Sequence, residues 1–176
     1  MTEGIYATAG RKSLTRAFSA IAWGGLVAGT LDIVFAFITF WIRGATPLRI
    51  LRGIASGLVG RAALDGGLPA AALGAFLHYF ISFSAAAFFW FAAVRFPILL
   101  RQAVPSGIAY GLAFYLFMTQ VVLPLSAITS SNPRALDLSG LFAHTVLFGL
   151  PIALVARRAA RAQPPGPSLH GEHKDE

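Results

Sequence analysis

Four polar side chains stand inside stretches that are otherwise apolar: Asp32, His78, Gln120 and His144. Aspartate and histidine can hold or pass a proton, and a histidine can also ligate a metal or a haem iron. Each of the four lies on a stripe of small residues. Gly25, Gly29, Asp32 and Ala36 follow one helical stripe. His78 shares one with Ala71, Gly74, Ser82 and Ala85. Gln120 follows Ser106, Ala109 and Ala113, and His144 comes one turn after Gly140. Small residues at this spacing let helices approach closely, so the polar groups are expected to point at other helices.

Three chemistries compete for this cluster. In the first, the groups hydrogen-bond between helices and fix the packing. In the second, Asp32, His78 and His144 form a proton or ion path. In the third, His78 and His144 ligate a b-type haem or a metal from two helices, with Gly74 and Gly140 leaving room for the macrocycle. The expectation is the first, with no catalytic residues, no metal site and no cofactor. Cysteine is absent, which removes disulfides, thiolate metal sites and cysteine nucleophiles.

The elements that position these residues follow from hydropathy. Of the 176 residues, 56% are hydrophobic and 12% charged, against about 25% charged in a soluble domain. Apolar blocks cover 20–42, 69–94, 104–125 and 136–156. About 20 helical residues cross a hydrocarbon core of about 30 Å. The fold class predicted is therefore an all-α integral membrane four-helix bundle. The first block is too long for a signal-peptide core and has no small-residue cleavage site, so it is predicted to stay as a span. Trp23, Trp41 and Trp90 fall at predicted span ends, where interfacial belts favour them. Pro124 is expected to kink or end the third helix, and Pro151 to bend the fourth. Residues 1–19 form a cytoplasmic N-terminal segment, 20–160 the transmembrane domain, and 161–176 a disordered tail in which His170 and His173 are solvated.

Between the first two spans, Thr46-Pro47 reads as an N-cap followed by proline at the first helical position. Leu48, Leu51, Ile54, Ala55 and Leu58 recur at helical spacing, with Arg49, Arg52 and Ser56 assigned to the other face. This predicts a short amphipathic helix, either lying in the interface or packed on the bundle, with Arg49, Arg52 and Arg61 touching lipid headgroups. Asp65-Gly66-Gly67 is a turn, as is 130–133, where Asn132 is a candidate N-cap. Gly53/Gly57 and Gly107/Gly111 match the close-packing glycine spacing.

Net charge is +7, but the basic residues sit at the ends of apolar blocks, which excludes a nucleic-acid face. With both termini inside, eight basic residues near the membrane are cytoplasmic and five are not, which favours that orientation. The expected partners are the lipid bilayer and either a protein partner or a second copy of the chain.

Residues 69–160 resemble the YagU-like inner-membrane proteins of bacteria. The likeness rests on Leu77-His78-Tyr79-Phe80-Ile81, on Pro105-Ser106-Gly107-Ile108-Ala109 after a short basic turn, and on Phe142-Ala143-His144 leading to Arg157-Arg158. Where that family carries Gly-His in the last span, this chain has Ala143-His144, and the family's early polar segment has no counterpart. The resemblance implies a bacterial inner-membrane location and brings no activity. The function expected is that of a non-enzymatic structural or accessory subunit.

Overall fold

The computed structural model describes residues 2–128 and 137–162, with side chains from residue 14 onward. The turn at 130–133, its candidate cap Asn132 and the tail beyond residue 162 lie outside the described residues. Every regular element among the described residues is helical.

Helix α1 (Thr2–Trp41) runs unbroken through the segment expected to precede the first span. The chain turns at Gly44, whose φ of +81° belongs to the left-handed region. Helix α2 (Pro47–Val59) starts as the sequence predicts. The Thr46 hydroxyl accepts a hydrogen bond from Arg49 N at 3.3 Å, and Pro47 occupies the first turn, where its missing N–H leaves nothing unbonded. A short 3₁₀ turn (Arg61–Leu64), which the sequence reading did not foresee, leads to α3 (Gly67–Arg95). Phe96-Pro97 ends α3, because the residue before proline is driven out of the helical region.

After α4 (Ile98–Arg101), the third span combines α5 (Ala103–Phe117), a π-helical segment (Met118–Val122) and α6 (Leu123–Leu125). The fourth combines α7 (Leu138–Phe142), a second π-helical segment (Ala143–Gly149) and α8 (Leu150–Arg161). Both π segments end two residues before a proline, Pro124 and Pro151. Proline cannot donate to the preceding turn and its ring crowds the carbonyl there. Widening the preceding turn moves that carbonyl aside. The expected proline distortions are therefore present, but as widened turns upstream of each ring.

Four stretches are long and apolar enough to cross a membrane: Leu14–Trp41, Gly67–Arg95, Ala103–Leu125 and Leu138–Arg161. The protein is a small multi-pass membrane protein. Helix α1 packs on α3 along one side and on the fourth span along another, and the fourth span packs on the third. Glycines set these seams. A Cβ at Gly25 or Gly29 would strike Phe83 or Ser82 of α3, and one at Gly111 would strike the backbone of His144 and Thr145. Gly107/Gly111 is thus a real close approach. Gly53/Gly57 is not: nothing stands within 4 Å of a Cβ at Gly53 and only Ser126 at 3.8 Å from one at Gly57.

Helix α2 packs against α3 so closely that a Cβ at Gly74 would collide with the Leu51 carbonyl. Its far end is tied to the end of the third span, where Ala127 N donates to Gly57 O at 2.8 Å. The polar face assigned from sequence is corrected here. Ser56 is buried with its hydroxyl turned onto Gly53 O, and Arg52 is half-buried with its Nε shielded from solvent. The bundle takes the face bearing Ala55, Ser56 and part of Arg52, while Leu58 and Val59 turn outward. Small size decides this, because a close helix contact admits Ser56 where Leu58 would not fit.

Candidate functional site: a polar vestibule in one half of the bundle

The four polar residues do not line one common cavity. His78 closes the α1–α3 seam: its Nε2–H donates to Gly29 O at 2.8 Å. A carbonyl can only accept, so Nε2 carries the proton. The same seam holds Tyr79 OH and Thr30 Oγ1 at 3.0 Å and Ser82 Oγ–H donating to His78 O at 2.9 Å. His78 thus makes an interhelical hydrogen bond of the kind the first of the three chemistries describes.

Asp32 and His144 meet elsewhere. Together with Thr39, Thr119, Asp137 and Ser139 they line a cavity of about 370 Å³, completed by Tyr115, Gly140 and the apolar Phe35, Ala36, Phe40, Leu123 and Ala143. The cavity reaches from Asp32 to the helix ends at Phe40, Leu123 and Asp137, which all lie at the end of the bundle that carries α2. Asp32 lies nine residues before Trp41 and His144 six after Leu138, so at about 1.5 Å per residue they sit roughly 14 and 9 Å below that end. Beyond them the space is filled by Ala28, Phe148 and Ile152.

Local folding presents each group. His144 lies in the second π segment, and its Nδ1–H donates to Gly140 O at 2.8 Å. That bond fixes the tautomer and leaves the Nε2 lone pair unbonded by any described residue. The ring is held on edge by Tyr115 at 5.6 Å between centroids and flanked by Phe114 and Phe148. Thr119 enters the cavity from the first π segment. Such segments often occur at functional sites.

Asp137 caps the fourth span. Its carboxylate accepts Ser139 N at 3.2 Å and the Ser139 hydroxyl at 2.7 Å. The Ser139 hydroxyl, then backbone N–H groups and Arg43, hold the carboxyl below its usual range against a smaller opposing effect of desolvation. Tyr115 OH bridges to the cap, accepting from Asp137 N at 3.1 Å and donating to Asp137 O at 3.3 Å.

Asp32 differs from the other polar groups. It is half-buried inside a span, and no described residue gives it a hydrogen bond or ion pair. Asp32 and His144 therefore share the cavity without a direct bond between them. Gln120 departs further from expectation. It is exposed, and its stripe faces outward, because the buried face of α5 is Ala103, Gly107, Gly111 and Tyr115. The π segment then breaks the helical phase on which the stripe was extrapolated, and Thr119 takes the inward position. No three histidine or acidic side chains converge as metal ligands among the described residues.

The sequence reading missed Tyr115, Thr119, Asp137 and Ser139. Asp137 had a usable signal, since an aspartate directly before an apolar helical run is an N-cap pattern. Compared with known families, with curated proteins and with solved structures, the chain matches none.

Proposed function

We propose that the chain is a non-enzymatic protein of the bacterial inner membrane, with both termini cytoplasmic, that takes up a proton from the opposite side at Asp32 and His144. One observation carries this reading: a carboxylate within a span that no described residue bonds, opening onto a cavity it shares with His144. Placing an aspartate at mid-span costs about 2.5–3.5 kcal/mol. A group kept only for packing would be spent on a partner helix, as His78 is on Gly29 O. The His144 Nε2 lone pair offers a second acceptor in the same space. The proton is the cargo that suits one aspartate and one histidine. The cavity is the entry half of such a path, and transfer to the other face requires the helices to part below Phe148.

Proteoliposomes with an imposed potential and an internal pH dye test this. The wild-type chain is expected to carry protons, Asp32→Asn to fold and carry none, and His78→Gln, whose amide can still donate to Gly29 O, to carry them normally. Equal flux in wild type and Asp32→Asn would sink the proposal. A reporter fused after Glu176 is expected to read cytoplasmic.

A second reading, an accessory subunit or homo-oligomer, is supported by the third span. Only 11% of its most apolar stretch is buried, against 28% in each of the others. Co-purification of a stoichiometric membrane partner, or a dimer by cross-linking in native membranes, would favour it.

A further inference from the structure

The vestibule is larger than a proton path requires. Its volume of about 370 Å³ lies within the range of small-molecule pockets, about 300–1,000 Å³. What it offers such a molecule depends on where its own protons go. His144 Nδ1–H is bonded to Gly140 O, so Nε2 presents a lone pair. The Thr119 hydroxyl donates to Tyr115 O at 2.9 Å and the Ser139 hydroxyl to Asp137 Oδ1 at 2.7 Å, which leaves both oxygens as acceptors. Tyr115 OH is engaged in both directions on the Asp137 backbone. Asp32, when ionised, only accepts, and no described residue bonds it. Of the described lining side chains, only the Thr39 hydroxyl keeps a proton to give. The lining is thus a set of acceptors that includes two carboxylates and, among the described residues, no lysine or arginine.

Acceptors and negative charge call for a cation that donates. A calcium ion takes six to eight oxygen ligands, whereas the surfaces between these polar groups are Phe35, Ala36, Leu123 and Ala143. Phe35 stands three residues after Asp32 on α1, so ring and carboxylate are neighbours on the helix. The Phe35 ring packs on Phe142 at 5.6 Å between centroids. An aromatic face beside a carboxylate suits an ammonium group with a hydrocarbon body. The chain's own Arg43 makes a contact of this kind near the mouth, with its guanidinium 5.5 Å from the centroid of the Phe40 ring. A primary ammonium brings three N–H donors, which match the Asp32 carboxylate, His144 Nε2 and a hydroxyl oxygen. A quaternary ammonium would leave all of these unbonded.

We propose that the vestibule binds a small primary ammonium ion with an alkyl or arylalkyl body, held by Asp32 and exchanged there for a proton. The Asp32 carboxyl releases H⁺ as the ammonium ion enters, so atoms and charge balance. Binding of this kind rests on the proton reading, since one carboxylate serves both cations. The titratable groups that share the space with Asp32 are Tyr115 of the third span and Asp137 and His144 of the fourth, with Arg43 near the mouth. On α3, His78 and Tyr79 are engaged by Gly29 O and Thr30 Oγ1, and no residue of α2 lines the cavity. Protonation of His144 removes an acceptor and adds a like charge, so it opposes the ammonium in the same direction as protonation of Asp32.

The test uses the full chain in a mild detergent and isothermal titration calorimetry. The probe is 2-phenylethylammonium, with 2-phenylethanol as a neutral control for partition into the micelle. Wild type is expected to bind the ammonium ion saturably at about pH 8 and the alcohol without saturation. Its affinity should fall as pH is lowered, about tenfold per pH unit for each proton displaced. Asp32→Asn should weaken binding at least about tenfold while keeping wild-type helicity by circular dichroism. Ala36→Leu, which adds bulk inside the cavity and leaves both acceptors in place, should lose the amine and still carry protons in the proteoliposome assay. Absence of saturable binding to wild type, equal binding by Asp32→Asn, or displacement of the amine by sodium would overturn the proposal; proton flux in that same wild type would leave the proton reading standing. Amine binding with this pH dependence in a chain that carries no protons would support the site and sink the proton reading.

Discussion

Adding one methyl group at Gly111 tests whether the third and fourth spans meet as described. A Cβ there would lie well inside contact distance of the His144 carbonyl and within 2.7 Å of Thr145 Cα. Both obstacles are backbone, so no side chain can rotate away. Overpacking of this kind costs about 1–3 kcal/mol. Replacing a helical glycine by alanine returns about 1 kcal/mol of intrinsic propensity. The backbone obstacle puts the first figure at its upper end, so Gly111→Ala should destabilise by about 2 kcal/mol net. Gly53→Ala isolates the propensity gain, because nothing lies within 4 Å of a Cβ there; it should stabilise by about 0.5–1 kcal/mol. The assay is unfolding of the purified protein in mixed micelles by a denaturing detergent, followed by far-ultraviolet circular dichroism. A Gly111→Ala protein as stable as Gly53→Ala would refute the described seam. Because the obstacle at Gly111 is the His144 backbone, the variant should also weaken proton uptake.

Two further outcomes follow from the caps and from α2. Asp137→Ala should destabilise by about 1 kcal/mol, as loss of an N-cap does. The Asp137 carboxyl is held below its usual range, so its contribution is complete above the unfolded value of about 3.9 and is lost as pH falls through the lower folded value. The difference between wild type and variant should therefore be flat from about pH 5 to 8 and shrink only below about pH 4; a difference that fades near neutrality would contradict this. In this chain without cysteines, a single cysteine at Ser56 should resist a maleimide, one at Leu58 should react with a lipid-soluble reagent, and one at Arg49 with a water-soluble one. Equal labelling at all three positions would mean that α2 does not pack on the bundle.

The spans were legible because membrane hydrocarbon imposes length and apolarity directly on the sequence. The start of α2 was equally plain, since Thr46-Pro47 encodes its own cap. The facing of α2 was not. Periodicity sorts residues by polarity, whereas the seam with α3 selected by size and drew in Ser56 and Arg52. The stripe argument held for Gly25 and Gly29 and failed at Gln120, because two stripes of small residues run along α5 and the bundle took the one bearing Gly107 and Gly111 rather than the one bearing Ala109 and Ala113. The prolines were read as bends, but their effect on register upstream could not be placed by counting. Asp32 was recognised from its position alone, while its company of Tyr115, Thr119 and Asp137 depended on helix neighbours that no single sequence specifies.

The widened turn at Ala143–Gly149 makes the fourth span, in effect, an ordinary helix carrying one surplus residue. Its two halves answer to separate demands. The half beyond Leu150 is phased to bury Ile152, Ala153, Ala156 and Ala159, and the half before it is phased to aim His144. Winding 143–149 as regular α-helix with no residue removed would keep the lower half in place, yet turn the upper half by about 100° about the helix axis. The vestibule would lose its histidine without any loss of hydrophobicity or span length.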